Sequence, residues 1–168
     1  MPVQLHPVMR SAMVLLRLLI VLNFVALAFV VLLLAASLTS IGASTLAETQ
    51  PEASVETFML SFRAAMAIAI LTVPFAHLLL TRLRNIVETA RAGDPFVPSN
   101  ARQLNTIAWC LLALQVLDLG FGAVSLAADE PFVWNFSLTG WIAVVLLFVL
   151  AKVFEHGTTM RDELAGTV

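Results

Sequence analysis

The chain has 168 residues, of which 60% are hydrophobic and 12% are charged, and its formal net charge is −2. Soluble domains usually carry about 25% charged residues, so this composition excludes an ordinary water-soluble domain and indicates that lipid surrounds most of the chain. The slightly negative charge provides no general attraction for nucleic acid. The single cysteine, Cys110, excludes a disulfide within the chain, and its apolar neighbours predict a small core residue rather than a reactive thiol.

Four apolar segments are long enough to cross a membrane. A bilayer's hydrocarbon core is about 30 Å thick and a helix rises about 1.5 Å per residue, so about 20 apolar residues are needed. Backbone polar groups in lipid must be bonded within the segment, so each span is expected to be helical. We therefore predict an all-α fold, a four-helix transmembrane bundle that forms one integral membrane domain over residues 1–168, with spans at about 14–43, 58–80, 104–127 and 136–154. The first apolar run is much longer than the roughly 7–15 residues of a signal peptide, so we expect it to be retained.

The basic residues are divided unequally between the two ends of these spans. Of the nine Lys and Arg residues, all but Arg63 fall on one side, whereas the first and third connectors contain acidic residues and no basic ones. Cytoplasmic loops carry the excess of Lys and Arg. The pattern therefore predicts a multi-pass membrane protein, with both termini and the connector from Glu88 to Leu104 in the cytoplasm.

The second helix is predicted to continue beyond the membrane as an amphipathic extension. Apolar residues keep a helical spacing from Leu79 to Ala90, while Arg84 and Arg91 occupy other faces. The connector that follows contains several turn-forming residues. Gly93 fits the position after a helix C-terminus, where a positive φ is needed, and Asp94–Pro95 favours a turn. Asn100 is predicted to be the N-cap of the third helix, with Gln103 three residues later.

The C-terminal segment has a second amphipathic pattern. Val153, Gly157, Met160 and Leu164 fall on one helical seam, so the fourth helix is also predicted to extend into the cytoplasm. Glycine in a helix costs about 1 kcal/mol relative to alanine. Close approach of a neighbouring backbone and a break in the helix both explain Gly157.

Two interpretations of the cytoplasmic residues stay open. Phe96 lies between two prolines in a polar connector, and it either packs back against the helix ends or belongs to a docking surface for a partner. In the second case the docking residues are Arg84, Arg91, Gly93, Asp94, Pro95, Phe96, Asn100, Val153, Gly157, Met160 and Leu164.

Arg63 and Asp118 are the two charges placed well inside the spans. A charge near the bilayer centre costs at least about 2.5–3.5 kcal/mol, so each needs a partner or a function. Their depths agree within one helical turn, which predicts an ion pair between the second and third helices. Asp118 also shares a small, polar stripe with Gln115, Gly122 and Ser125, which should face protein rather than lipid. The alternatives are an Arg63 that reaches outward beside a separately hydrogen-bonded or protonated Asp118, and a proton or ion path.

No motif for catalysis or for cofactor binding is present. His6, His77 and His156 lack the spacing of metal ligands, and the chain has no Gly-rich phosphate loop, nucleophile elbow or HExxH motif. We therefore expect no enzyme activity, no metal and no cofactor.

Two segments carry a family resemblance. The stretches GDPFVPSNARQL and VFEHGTTMRDELAGTV resemble a bacterial four-helix membrane family catalogued as domain-of-unknown-function family 2975, and the resemblance covers essentially the whole chain. Such proteins are often encoded beside a small Cro-like helix-turn-helix regulator, which implies a membrane partner that holds or releases a transcription factor. The matching residues are Gly93, Asp94, Pro95, Phe96, Asn100, Val153, Phe154, Gly157, Glu163, Thr167 and Val168.

The functional expectation is a non-enzymatic accessory or signalling protein that binds such a regulator in the cytoplasm. A structural or assembly subunit of a larger membrane complex is the alternative, and a small transporter component is favoured least. The expected partners are the lipid bilayer together with that regulator or the subunits of the complex. A homo-oligomer is also compatible with the sequence, and direct binding of nucleic acid is not expected.

Overall fold

Four long helices form the protein. The computed structural model describes residues 7–39, 44, 55–93, 97–127 and 134–165. The helices are α1 (Pro7–Ser37), α2 (Val55–Arg91), α3 (Pro98–Ala127) and α4 (Leu138–Ala165). All four are long and apolar enough to cross a membrane. The predicted all-α fold is confirmed, and the chain is a multi-pass membrane protein.

Helices α2 and α4 continue beyond their predicted apolar spans. The 37 residues of α2 span about 55 Å at about 1.5 Å per residue, against a hydrocarbon core of about 30 Å. It continues past Leu80 to Arg91, and α4 continues past Phe154 to Ala165. Both helices therefore have the predicted extensions beyond the apolar spans.

The first helix ends earlier than the sequence predicted. Its last helical residue is Ser37, whereas the apolar run suggested a boundary near residue 43. The hydroxyl of Ser37 donates to the Leu34 carbonyl at 2.7 Å, and that of Thr39 donates to the Ala36 carbonyl at 2.8 Å. These bonds give partners to two of the last carbonyls of α1, which lack partners within the helix.

The helices form an open row. Within the described ranges, Cα atoms approach within 8 Å between α1 and α2, between α2 and α3, and between α3 and α4, and between no other pair of helices. Neighbours along the chain are thus neighbours in space, and they run antiparallel. The middle helices α2 and α3 each have two partners, whereas α1 and α4 have one each.

Several of the buried residues of the middle helices are small. Ala65 of α2 and Ala108 of α3 are almost completely buried, and Ser61 and Cys110 are also buried. Small side chains let helix backbones approach closely, which is the main source of packing energy in lipid. The burial of Cys110 agrees with its predicted place in the core. In contrast, the apolar side chains of α1 are mostly exposed, as expected for a surface that lipid covers.

A buried polar relay joins the facing ends of α2 and α3. The Asn100 side chain is fully buried, and its Nδ2 donates to the Thr89 hydroxyl at 2.7 Å. Thr89 in turn donates to the Ile86 carbonyl at 2.8 Å, and Gln103 Nε2 donates to Asn100 Oδ1 at 3.4 Å. Because a buried amide without partners costs about 1–3 kcal/mol, this relay fixes how the two helix ends meet.

Asn100 is not the N-cap of α3, contrary to the sequence prediction. The helix begins two residues earlier at Pro98, and the Asn100 backbone N–H already donates to the Val97 carbonyl at 2.9 Å. Proline is favoured at the first helical position because its fixed φ suits a helix. An N–H at that position would have no partner within the helix, so its absence costs nothing. At the other end of the connector, Gly93 has a φ of 93° directly after α2, so its predicted role is confirmed.

Candidate functional site

Arg63 binds the end of the first helix. Its Nη2 donates to the Ser37 carbonyl at 2.6 Å. The last carbonyls of a helix lack partners within the helix and carry a partial negative charge, so a guanidinium is a favourable ligand for them. Deeper in the membrane, Asn23 Nδ2 donates to the Val73 carbonyl at 3.3 Å. These two bonds hold α1 against α2.

Asp118 of α3 is bound by the segment that precedes α4, not by α2. Its Oδ2 accepts a hydrogen bond at 3.3 Å from the indole Nε1 of Trp134, which precedes α4. The Trp134 ring covers Gly122, where an added Cβ would come within 2.5 Å of the ring atom Cε2. Gln115, on the same stripe, also contacts α4: its amide occupies the space that a Cβ on Gly140 would need. The small, polar stripe of α3 therefore faces protein, as the sequence predicted.

The predicted ion pair between Arg63 and Asp118 is not formed among the described residues. The only ion pair within them joins Lys152 and Glu155. Arg63 and Asp118 match in depth, but Arg63 faces α1 and Asp118 faces the beginning of α4. The arrangement corresponds to the alternative in which Asp118 is hydrogen-bonded separately and Arg63 reaches toward the end of a helix.

The predicted docking residues of the α2–α3 connector have different environments. Arg84 and Arg91 are partly exposed, and Gly93 is exposed after the end of α2. Asn100 is fully buried against Thr89, so it cannot contact a partner and its assignment to a docking surface is corrected. Asp94, Pro95 and Phe96 lie outside the described residues, so the two interpretations of Phe96 both stay predictions.

The predicted seam of α4 is largely open. Val153 is 60% exposed and Met160 is 66% exposed. Helix α4 runs unbroken through Gly157, and no other atom comes within 4 Å of the position that a Cβ would take there. Neither a helix break nor a close neighbour within the described chain therefore accounts for Gly157. Leu164 lies in the same helix, but its side chain is outside the described part.

The described side chains provide no cluster for a metal. Within the ranges given above, no group of three or more His, Cys, Asp or Glu residues is arranged to hold an ion. The residues that sequence reasoning missed are Trp134, Gly140 and Thr89. Trp134 carried a usable signal, because an indole near the end of a span needs an acceptor for its N–H.

The comparison with protein families agrees with the sequence resemblance. A model of the family described as protein of unknown function (DUF2975) matches residues 41–168. The chain belongs to this family. The match contains α2, α3 and α4 and leaves out α1, so the expected coverage of essentially the whole chain is wrong for the first helix. No curated protein and no solved structure is significantly similar to this DUF2975 member.

Replacing Gly122 by Ala should lower the free energy of unfolding by up to about 2 kcal/mol. The new methyl group would displace Trp134, and overpacking of this kind costs about 1–3 kcal/mol against a helix-propensity gain of about 1 kcal/mol. Gly120→Ala is the matched control, because its Cβ would lie 3.8 Å from Ile68 Cδ1, an ordinary contact. Unfolding titrations in mixed micelles measure both. Equal effects of the two substitutions would contradict the Trp134 packing.

Arg63→Met and Asp118→Asn should be additive in a double-mutant cycle. Removing the Arg63 donor should cost about 1–2 kcal/mol because the Ser37 carbonyl loses its ligand. Separate contacts predict that the double variant equals the sum of the single variants within about 0.5 kcal/mol. A coupling energy clearly above that value, measured by the same titration, would show that Arg63 and Asp118 do form an ion pair.

Proposed function

We propose that this protein is a non-enzymatic accessory or signalling protein of the bacterial inner membrane that binds a soluble cytoplasmic regulator through the ends of α2 and α4. The proposal rests on one observation, the open apolar seam of α4 around Gly157. The seam lies on the side of the membrane where all the basic residues except Arg63 occur, so it would face the cytoplasm.

The position of the seam along α4 supports this reading. Lys152 and Glu155 form an ion pair at 2.7 Å with side chains that are 75% and 59% exposed. Because charges in hydrocarbon are costly, this pair indicates the level at which α4 leaves the lipid core. Met160 lies about 7–8 Å beyond Glu155 along the helix, so water rather than lipid would contact it. Burying a side chain of this type stabilises a complex by about 1.5–3 kcal/mol.

Gly157 adds a reason to expect a neighbour from outside the chain. Helical glycine is unfavourable by about 1 kcal/mol relative to alanine, and no contact in the described protein requires it. A partner side chain or backbone that sits over Gly157 would offset that cost, and Val153 and Met160 would flank it.

The charge of the surrounding surface indicates the kind of partner. Arg84 and Arg91 project from the α2 extension, and four Lys or Arg side chains would lie in the connector region of this face. A partner with an acidic patch and an apolar centre would complement them. The resemblance to the family implies a small helix-turn-helix transcription regulator, and we adopt it as the specific candidate.

The open row favours one alternative. The outer faces of α1 and α4 have no helix against them in the described chain, so helices of other membrane proteins could cover them. This arrangement suits a structural or assembly subunit of a larger membrane complex. Transport gains no comparable support, because the Asp118 carboxylate already accepts a bond from Trp134.

The orientation is tested by cysteine labelling. In a Cys110→Ala background, Ala92→Cys places a thiol at an exposed position after α2, and Thr57→Cys places one at the opposite end of that helix. An impermeant maleimide added outside spheroplasts should label position 57 and spare position 92 until the membrane is permeabilised. Labelling of position 92 from outside would contradict the proposed cytoplasmic face.

The partner site is tested by filling the open space at Gly157. Gly157→Trp should leave the unfolding midpoint unchanged, because no described atom outside the local helix backbone lies within 4 Å of the new Cβ and the seam around it is open, but should weaken binding at least tenfold. The probe is a purified helix-turn-helix regulator encoded beside this protein, with binding measured on the full chain in nanodiscs. Val145→Trp is the control, since Val145 is 62% exposed and lies within the lipid-facing part of α4.

The outcome distinguishes the two functions. Unchanged affinity of the Gly157→Trp variant, or equal loss in both variants, would contradict docking at the seam. If the regulator does not bind and defined integral membrane subunits form a complex that Val145→Trp disrupts, the assembly function replaces the signalling function.

A further inference from the structure

A groove separates the beginning of α3 from the end of α4. Its volume is about 590 Å³, and its walls come from both helices. Arg102 and Asn105 are among the residues that line it on α3, and Phe148, Ala151, Lys152, Glu155 and Thr159 are among those that line it on α4. No sequence pattern predicts this groove, because its residues on α3 and on α4 are far apart along the chain.

The groove crosses the boundary between lipid and water. On α3, the apolar run begins at Leu104, and Arg102 lies just outside it. On α4, Phe148 and Ala151 lie on the lipid side of Lys152, and Thr159 lies on the water side. One end of the groove is therefore apolar and the other polar, in the same order as the acyl chains and headgroup of a phospholipid.

Positive charge lies at the headgroup level of the groove. Arg102 is exposed and has no competing acidic partner among the ion pairs of the described residues. Lys152 is bound to Glu155, but both side chains are mostly exposed, and such surface pairs contribute only about 0–1 kcal/mol. Exchanging the Lys152–Glu155 ion pair for a contact between Lys152 and a phosphate group therefore costs little free energy. Basic pockets between transmembrane helices on the cytoplasmic side are suited to anionic headgroups.

An apolar surface continues from the groove around α4. Phe148 and Lys152 line the groove and also belong to an adjacent shallow depression. Val149 lines this depression on the lipid side of Lys152, and on the water side the depression continues along the α4 seam to Gly157 and Met160. An acyl chain that leaves the groove toward the membrane can follow this surface without crossing polar groups. Free phosphate would use the cationic end only and would leave the apolar end uncovered.

We propose that this groove binds an anionic phospholipid of the surrounding leaflet. Arg102 and Lys152 bind its phosphate, and an acyl chain lies along Phe148 toward Val149. The proposal does not depend on the regulator-binding function, because the two surfaces are tested with different ligands and different substitutions.

The test measures phospholipid binding to the full-length protein in detergent micelles by native mass spectrometry. The probes are phosphatidylglycerol, phosphatidylcholine and inorganic phosphate. The wild type should bind phosphatidylglycerol at least tenfold more tightly than phosphatidylcholine, and the Arg102→Gln/Lys152→Gln double variant should lose at least tenfold in affinity for phosphatidylglycerol. Both side chains are exposed, so the unfolding midpoint without added lipid should stay unchanged.

A matched control separates the groove from general charge. Arg17→Gln removes one exposed charge from the same side of the membrane but from α1, and its affinity should stay within twofold of the wild type. A similar loss in that variant, or no loss in the double variant, would overturn the proposal. Complete displacement of phosphatidylglycerol by millimolar inorganic phosphate would assign the groove to free phosphate instead. The regulator is absent from these samples, so failure here leaves the proposed function intact.

Discussion

Hydrogen bonds between helices are the interaction on which this arrangement depends. Lipid tails are as apolar as the helix surfaces, so in a bilayer the hydrophobic effect does not drive helices together, and small residues and polar contacts must do so. Each pair of neighbouring helices here has such a contact. Arg63 binds the end of α1, Asn100 binds Thr89 between α2 and α3, and Trp134, in the segment just before α4, binds Asp118 of α3. Each is worth only about 0.6–2 kcal/mol, so close packing at residues such as Ala65 and Ala108 must add to them.

The positions of these contacts explain where the row is tight and where it opens. The bonds of Arg63 and Asp118 lie toward one membrane surface, and the Asn100 relay lies toward the other. At the α3–α4 interface, the hydrogen bond of Trp134 to Asp118 and the close approach of Gln115 to Gly140 lie toward the surface opposite the Asn100 relay. At the basic end the same two helices diverge enough to leave the groove beside Arg102 and Lys152. The groove and the Trp134 contact are thus two ends of one interface.

Composition and spacing predicted the properties that depend on one helix at a time. The number of helices, their extension past Leu80 and Phe154, and the positive φ of Gly93 all follow from local apolar runs and backbone chemistry. The inward orientation of the Asp118 stripe also followed from its small and polar members. The rotation of each helix about its own axis could not be predicted, because two residues at equal depth can face in different directions. For this reason the predicted pair of Arg63 and Asp118 is replaced by separate partners. The start of α3 was misplaced because the preference of Pro98 for a first helical turn outweighed the N-cap preference of Asn100.

The serial order of contacts has a consequence for how the protein is made. In the part of the chain that the structure describes, each helix lies against only its neighbours in the sequence. During synthesis, every span that leaves the insertion machinery therefore finds its earlier neighbour already placed in the bilayer, and no span has to wait for a distant one. Contacts that are short in sequence carry little loop-closure entropy and favour fast assembly. Assembly can thus follow translation order: α2 packs against α1, α3 against α2, and α4 against α3.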